Sequence, residues 1–467
     1  MKQWASLVVV LLCSAATIAR ADLAVTEIPI VDAPPGTAGL GFGIRAGTSP
    51  YRGVDNISSI GNDNDTDLLP LYLYEGKYLF AHGTSFGVHV VNTDWFGVDL
   101  LAKYRFDRLE SDADAFFAGI DDRDQTVDGG MSLSLKGSWG KLSATWVADL
   151  LDNHNGSEAD LTYRYTWQPC RCSLSPFISY VHQDEDLTNY YYGVSIQEVA
   201  AGRPAYRADS AEFWRAGINT SYQWSNHGML FGNVAFEGVP DTIVDSPLVD
   251  EDHLSSAMVG FAYMFGNVLD GSSVKKQPER KGEWSWRVNG GYTADETFHK
   301  VHRGYVKRSE DVHTYLGGLT FGRLLRDGRR QDSWARLSVN RRFENDLQSD
   351  FWEFNAYIMT MITGYSPWTD KELFRYGFGF GFSYVERVPM VEQRKQAGRE
   401  ENTAHFLNYL EAQIDFPLSA LFGNSTRNKC YVGLTLVHRS GIFANSDILG
   451  NVSGGSDVLT AHLECKS

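Results

Sequence analysis

The chain alternates apolar residues with small or polar residues over many short segments. In residues 284–294 the even positions are mainly aromatic or aliphatic, and the odd positions are mainly polar. In residues 375–385 every even position is aromatic, and the odd positions are glycine, Arg375, Ser383 and Val385. Successive side chains of a strand point to opposite faces, so these segments are predicted to be strands with one apolar face. Aromatic residues opposite glycine or polar residues are typical of strands that have lipid outside and a lumen inside.

The number of such segments predicts closed antiparallel barrels. Residues 37–266 give ten to twelve segments by this criterion, with 131–139 as a clear case. The second half gives eight, near residues 284–294, 311–322, 333–343, 351–363, 375–386, 404–416, 429–440 and 457–465. Eight strands is the smallest common size of a closed membrane barrel. The sequence therefore predicts an all-β protein that forms a transmembrane antiparallel β-barrel.

A polar break divides the two groups of strands. Residues 267–282 read NVLDGSSVKKQPERKG, contain Gly, Ser and Pro, and show no periodicity, which predicts a linker. Residues 257–265, AMVGFAYMF, have the pattern of a closing strand. We therefore expect two barrels, in residues 22–266 and 283–467, joined by a periplasmic linker. A single larger barrel is the alternative.

The first 21 residues have the order of an export signal. Lys2 is followed by an apolar stretch over residues 5–17 and by Ala19-Arg20-Ala21, which predicts cleavage before Asp22. A buried amino-terminal helix is the alternative. No later apolar run reaches about 18 residues, the length that a membrane-spanning helix needs. Export together with barrel strands predicts the outer membrane of a Gram-negative bacterium.

Charge and cysteine content narrow the function. The formal net charge is −16, and loss of Lys2 and Arg20 with the signal would make it −18, which argues against a nucleic-acid partner. Four cysteines would remain, Cys170, Cys172, Cys430 and Cys465, and an exported protein can form disulfides. None of them forms the paired Cys-x-x-Cys units of a zinc site, so no metal or cofactor is predicted.

One disulfide can be predicted from strand pairing. Antiparallel partners keep a constant sum of residue numbers, and the sum for Cys430 and Cys465 is within two of the sum for Ser440 and Asp457. Both cysteines also share the outward parity of the last two predicted strands. We therefore predict a Cys430–Cys465 disulfide, for which the Cα atoms must lie within about 7 Å.

Three stretches of the first half resemble the MipA/OmpV outer-membrane family. They are residues 122–142, DRDQTVDGGMSLSLKGSWGKL, residues 187–206, LTNYYYGVSIQEVAAGRPAY, and residues 245–249, DSPLV, which precede the closing strand. The resemblance covers about residues 37–266. It implies an outer-membrane barrel, and one member is described as a scaffold that links a murein-cleaving transglycosylase to a murein synthase. Murein-processing envelope proteins are therefore implied as partners.

Two clusters in this region permit more than one interpretation. Tyr190-Tyr191-Tyr192 is expected to belong to an aromatic girdle, with a loop cluster as the alternative. Residues 121–124, DDRD, are expected to form a solvated loop, with charge pairing in the lumen or cation binding as alternatives.

The second half carries a candidate catalytic constellation near its last hairpin. His438 and Ser440 share their parity with Cys430, Val432, Leu434 and Leu436, so both are expected on the outer surface. Asp457 shares its parity with Leu459, Ala461 and Leu463, and is expected to face outward across the hairpin. If the amino terminus enters from the periplasm, this hairpin is extracellular. A serine nucleophile needs a base, and the base needs an acid that orients it.

This arrangement resembles the PagL-type lipid A deacylases, which carry an outward His-x-Ser on the penultimate strand and an acid beyond it. The resemblance implies an ester hydrolase with Ser440 as nucleophile, His438 as base and Asp457 as the acid, acting on lipopolysaccharide. This family usually has a glutamate at a shorter spacing than Asp457. Polar rim residues directed to the headgroup layer are the alternative. Two hypotheses thus stay open: a lipid A ester hydrolase, and a non-catalytic envelope scaffold or porin-like protein.

Overall fold

The computed structural model of the chain describes residues 37–54, 67–225, 228–264, 283–294, 312–326, 331–366, 371–397, 403–419, 429–441 and 455–467. The chain divides into two compact units, Met1–Asp270 and Gly271–Ser467, and each unit contains one closed barrel. The predicted signal (1–21) and linker (267–282) lie outside the described residues. Among the residues described, no helix is both long and apolar enough to cross a bilayer.

The first barrel has twelve antiparallel strands in sequence order, and β12 closes it by pairing with β1. Its strands are β1 Thr37–Gly47, β2 Asp67–Glu75, β3 Leu79–Gly83, β4 Ser85–Asn92, β5 Phe96–Arg105, β6 Thr126–Gly137, β7 Gly140–Asp149, β8 Ser157–Arg164, β9 Cys172–Gln183, β10 Ala211–Gln223, β11 Gly228–Gly238 and β12 His253–Met264. Helices α1 Glu185–Tyr192 and α2 Asp241–Val244 lie in its connections, with 3-10 turns at Ala115–Phe117 and Ile196–Glu198.

The closing contact follows the predicted alternation. Phe42 of β1 pairs with Phe261 of β12, and both rings point outward, 6.1 Å apart. On the lumen side, a Cβ added to Gly39 would lie 2.6 Å from the sulfur of Met264. The inward glycines of β1 therefore make room for bulky side chains of the strand that closes the barrel.

The long connections of this barrel fold into a cap with its own apolar core. Tyr51, Phe117, Val181 and Leu248 are among the buried residues of that core. Tyr191 is 2% exposed, and the rings of Tyr51 and Tyr192 lie 5.8 Å apart. The girdle interpretation of Tyr190-Tyr191-Tyr192 was therefore wrong. These tyrosines belong to α1, whose first turn is capped by Asp184, because this connection is long enough to form a packed structure of its own.

Glu198 joins several segments of the cap. Its hydrogen bonds indicate that the cap loses stability in acid. It accepts hydrogen bonds from the backbone N–H groups of Ser195 and Asp121, and from Arg123 at 2.7 Å. Burial opposes its ionisation, but these bonds outweigh burial and lower the pKa of Glu198 from 4.5 to about 2. A lowered folded-state pKa stabilises the cap above pH 4.5, and that contribution is lost as the pH falls towards 2.

We therefore expect the near-ultraviolet circular dichroism of the tyrosine-rich cap to weaken between about pH 4.5 and pH 2. In Glu198→Gln the signal should already be weak at pH 7 and nearly independent of pH. Glu185→Gln, which changes an exposed carboxylate in the same connection, is the matched control. If Glu198→Gln has the same circular dichroism signal as the wild type at pH 7, ionised Glu198 does not stabilise the cap.

The second barrel has eight antiparallel strands, and β13 pairs with β20 to close it. Its strands are β13 Trp284–Ala294, β14 Tyr315–Arg326, β15 Gln331–Phe343, β16 Phe351–Tyr365, β17 Glu372–Val385, β18 Phe406–Pro417, β19 Cys430–Ser440 and β20 Asp457–Lys466. Helix α3, Met390–Ala397, lies between β17 and β18. The largest difference from the prediction is β14, expected at 311–322. A register shift between Leu324 and Arg326 lets pairing continue past the predicted end.

Paired charges fill the lumen of the second barrel. Arg287 binds Glu411 through two hydrogen bonds of 2.7 and 2.9 Å, and Arg336 binds Glu464 at 2.8 and 3.0 Å. Arg375 pairs with Asp415 at 2.6 Å. The interior of an eight-stranded barrel is only wide enough for side chains. These ion pairs argue against an open pore through this barrel.

The predicted disulfide is confirmed. Cys430 and Cys465 are register partners on β19 and β20, are bonded to each other, and have Cα atoms 4.0 Å apart. A second disulfide joins Cys170, in the connection between β8 and β9, to Cys172, the first residue of β9. The sequence had left that second pairing open.

Removing the Cys430–Cys465 bond should destabilise the second barrel. The bond joins residues 35 apart, and a disulfide that closes a loop of this size contributes about 2–4 kcal/mol by restricting the unfolded chain. Replacing both cysteines with serine should therefore lower the urea concentration at which a protease begins to cleave the protein within residues 283–467. The Cys170→Ser/Cys172→Ser variant is the control, since its bond spans only two residues. Equal effects of the two variants would contradict this account.

Candidate active site on the second barrel

The predicted histidine and aspartate meet at the end of the last hairpin. His438 on β19 and Asp457 on β20 are direct register partners. The Nδ1 atom of His438 lies 2.9 Å from Oδ1 of Asp457, within hydrogen-bond distance. Because Nδ1 donates to the carboxylate in this pair, Nε2 carries the lone pair that a general base uses.

Burial along β19 places the site on the outer face. Thr435, Val437 and Arg439 are buried on the lumen side, whereas Leu434 is 50% exposed on the other face. His438 and Ser440 share the parity of Leu434, as the alternation predicted. They lie at the end of the barrel that has the longer connections, and in outer-membrane barrels that end is extracellular.

Ser440 lies two residues from His438 on the same face, so their Cα atoms are about 7 Å apart. An imidazole can bridge that separation. Ser440 is 9% exposed, and Asp457 is 2% exposed. A buried carboxylate is costly without a partner, and His438 supplies that partner here.

Sequence reasoning missed Asn408 on β18. Asn408 is the register partner of Ser440, is buried, and donates from Nδ2 to the carbonyl oxygen of Ser440 at 3.3 Å. It shares its outward parity with Leu410, Ala412 and Ile414. A polar residue on an otherwise apolar face was the signal that could have identified it, as it did for His438.

An aromatic surface lies beside the candidate serine. Phe382 of β17 is the register partner of Asn408, which in turn pairs with Ser440. The ring of Phe382 stacks on that of Phe406 at 5.3 Å. Both rings share the outward parity, so they offer an apolar surface of the kind that acyl chains contact.

A polar cleft of about 900 Å³ opens at the same end of the barrel. It is lined by Gln348, Tyr384, Glu386, Arg387, Val388, Gln393, Ala397, Thr403 and His405. Tyr384 lies near the end of β17, which carries Phe382, and His405 directly precedes β18, which carries Asn408. The apolar surface and the polar cleft are therefore neighbours, as the acyl and sugar layers of a lipid are.

Three glycines lie near the candidate serine or near Asp457 in the sequence, Gly441, Gly454 and Gly455. Gly441 directly follows Ser440, and its backbone N–H is an available donor in sequence terms. Gly454 lies outside the described residues. At Gly455 an added Cβ would lie 1.6 Å from the carbonyl oxygen of Arg439. Only glycine allows β19 and the start of β20 to approach this closely.

Two groups of potential metal ligands occur within the described ranges: Asp128, Asp149 and His154, and Asp415, His462 and Glu464. Their oxygens already have protein partners. Asp149 accepts backbone N–H groups of Leu151 and Asn155, and the second group is held by Arg375 and Arg336. Carboxylates engaged by arginine or by backbone donors act as parts of structural networks.

Comparison with known proteins shows which proteins the first barrel resembles. Residues 40–265 match the model of the family described as "MltA-interacting protein MipA". The putative outer membrane protein YiaT of Escherichia coli is 29% identical over 230 residues, covering 48% of this chain and 90% of YiaT.

Two further relatives are also outer-membrane or MltA-interacting proteins. The MltA-interacting protein of Escherichia coli is 26% identical over 235 residues, covering 49% of this chain and 91% of that protein. The outer membrane protein OmpV of Vibrio cholerae is 27% identical over 147 residues, covering 32% of this chain and 57% of OmpV. The second barrel lies outside the residues of the family match. The first barrel, over residues 40–265, is therefore similar to the MipA/OmpV family of Gram-negative outer-membrane proteins.

Proposed function

We propose that the second barrel is an ester hydrolase that removes an acyl chain from lipid A in the outer leaflet. Ser440 is the nucleophile, His438 the general base, and Asp457 the residue that orients the imidazole. The observation that carries the proposal is the 2.9 Å hydrogen bond between His438 and Asp457 on the outward rim. Buried acid–base pairs on a lipid-facing surface are costly and usually functional.

In the first step, Nε2 of His438 takes the proton of Ser440 while Oγ attacks the ester carbonyl carbon. The carbonyl oxygen becomes an oxyanion, for which the N–H of Gly441 and the Asn408 amide are candidate donors. Collapse of the intermediate breaks the bond to the sugar oxygen. His438 returns the proton to that oxygen, which leaves as a hydroxyl group, and the acyl chain stays on Ser440.

In the second step, His438 activates a water molecule, which attacks the acyl-serine ester. The fatty acid leaves, and the proton held by the imidazole returns to Oγ of Ser440. Asp457 stays ionised throughout and stabilises the imidazolium that forms twice in the cycle. Water is the second substrate of the cycle.

The position of the site supports a membrane lipid as substrate. Phe382 and Phe406 offer an apolar surface beside Ser440, and the cleft that contains Arg387 and Gln393 offers polar groups at the sugar level. A substrate that arrives laterally in the membrane would contact both. An outward site serves such a substrate, whereas a lumen site would not.

Mass spectrometry of lipid A tests this function. Cells that contain the protein should have lipid A lighter by one acyl chain than otherwise identical cells that lack it. The free fatty acid should appear in the envelope fraction in equal amount. Lipid A of identical mass in both strains would refute the hydrolase proposal.

The second candidate function concerns the first barrel and is a scaffold for murein-processing enzymes. It is supported by the similarity of residues 40–265 to a family named for interaction with MltA. Cross-linking in intact cells should then join the first barrel to an enzyme of the MltA kind. If cross-linked products contain no murein-processing enzyme while a known partner of that enzyme is captured, the scaffold proposal fails.

A further inference from the structure

We propose that Glu392, on the helix that folds back into the second barrel, is a positioning residue that sets the geometry of the candidate active site from the lumen side. This inference rests on the proposed hydrolase function. Glu392 lies in α3 and is 2% exposed. It touches none of the three candidate catalytic side chains through any hydrogen bond of the described residues, and acts through their neighbours.

Three hydrogen bonds connect Glu392 to β19 and to the residue that directly precedes β20. Nη1 of Arg439 donates to both carboxylate oxygens at 2.6 and 2.7 Å. Oγ of Ser456 donates to Oε1 at 2.5 Å. Arg439 and Ser456 are also joined by their backbones, since the N–H of Arg439 donates to the Ser456 carbonyl at 3.0 Å.

These partners flank all three candidate residues. Arg439 lies between His438 and Ser440, and Ser456 directly precedes Asp457. Neighbouring residues of a strand point to opposite faces, so the outward site and the inward clamp share the same backbone. One carboxylate in the lumen therefore fixes the ends of β19 and β20, where His438 must meet Asp457.

The other N–H groups of Arg439 hold its guanidinium in one position. Nε donates to Oγ of Ser383 at 3.0 Å, and Nη2 donates to the carbonyl oxygens of His405 and Ala404 at 3.0 and 3.5 Å. Arg439 is fully buried. If Glu392 loses its charge, the guanidinium keeps its position only at the cost of a buried charge without its hydrogen-bonded carboxylate. We expect it to move and to shift the backbone on which His438 and Ser440 lie.

Small shifts at this point have a large effect on catalysis, because a misplacement of about 1 Å can lower the rate about a hundredfold. Substrate contacts with the aromatic surface and the cleft would change less. A positioning role thus predicts a lower kcat with a nearly unchanged KM. A general loss of folding would instead reduce the amount of native barrel.

The test compares Glu392→Gln with Glu464→Gln in the full-length protein, with purified lipid A in detergent as the substrate. Glu464 also binds an arginine through both oxygens and is fully buried. It lies seven residues from Asp457, or about 23 Å along the strand. Glu392→Gln should lower kcat at least tenfold with KM within about twofold of wild type. Glu464→Gln should change neither, and Glu392→Asp should recover part of kcat.

A second measurement separates failure of this inference from failure of the proposed function. Backbone hydrogen exchange in peptides covering residues 436–441 and 455–459 should accelerate in Glu392→Gln and stay unchanged in Glu464→Gln. If the wild type shows no hydrolysis but exchange behaves as expected, the proposed function fails and the clamp stands. Equal kcat and equal exchange in wild type and Glu392→Gln would overturn the positioning role.

Discussion

Replacing Ser440 with alanine is expected to abolish lipid A deacylation. The substitution removes the oxygen that forms the acyl-enzyme, and loss of such a nucleophile lowers kcat about a thousandfold or more. Ser440 lies at the last position of β19, where an alanine fits the same strand. The heat-modifiable gel mobility of the barrel should therefore stay unchanged. Lipid A mass in cells that express the variant is the measurement.

Variants of the other two residues should have graded effects. His438→Ala should be as damaging as Ser440→Ala, because the two groups act as one unit. Asp457→Asn should cost less, since Ser440 and His438 both remain and only the charge and the tautomer control of the imidazole are lost. Ser338→Ala is the matched control, because Ser338 is a buried serine of the same barrel on β15. If lipid A is the same with wild type, Ser440→Ala and no protein, the catalytic assignment is wrong.

Strands and their inward or outward faces were predictable because they depend on local rules. A period of two in hydrophobicity follows from strand geometry alone. The same rule placed His438 and Ser440 outward, and the constant residue sum of antiparallel partners identified Cys430–Cys465. Ends of strands were less certain, because pairing depends on the neighbouring strand. The register shift near Leu324 illustrates this for β14.

The connections were not predictable in the same way. Helix α3 reads MVEQRKQA, which has little apolar periodicity, and nothing local shows that Glu392 enters the lumen. Its position depends on Arg439, 47 residues away. Tyr191 was misassigned for the same reason, because its burial arises from packing between distant loops of the cap. Long-range contacts of irregular segments carry no periodic signal in a sequence.

The residues of the candidate site show both cases. His438, Ser440 and Asp457 stand on regular strands, so parity and register could bring them together. Asn408 also stands on a strand, but its pairing with Ser440 requires the register between β18 and β19. The connection between β18 and β19 can have many different lengths, so the residue numbers of these strands alone did not define that register.

Removing Arg287 should give the largest loss of stability in the second barrel. Its guanidinium binds both oxygens of Glu411 and also contacts Gln413, Thr320 and Tyr357. Glu411 is fully buried. In Arg287→Met this carboxylate would keep the hydroxyl of Tyr409 at 2.6 Å and Arg336 at 3.6 Å. Leaving one member of a buried ion pair costs about 3–5 kcal/mol.

The double variant Arg287→Met/Glu411→Leu distinguishes this cause from a simple loss of packing. Apolar replacements for both partners of a buried ion pair are often neutral or stabilising. We therefore expect the double variant to recover most of the stability that Arg287→Met loses. The measurement is the urea concentration at which a protease cleaves half of the full-length protein within residues 283–467. If the double variant is as unstable as Arg287→Met or less stable, the unpaired charge of Glu411 is not the cause of the loss.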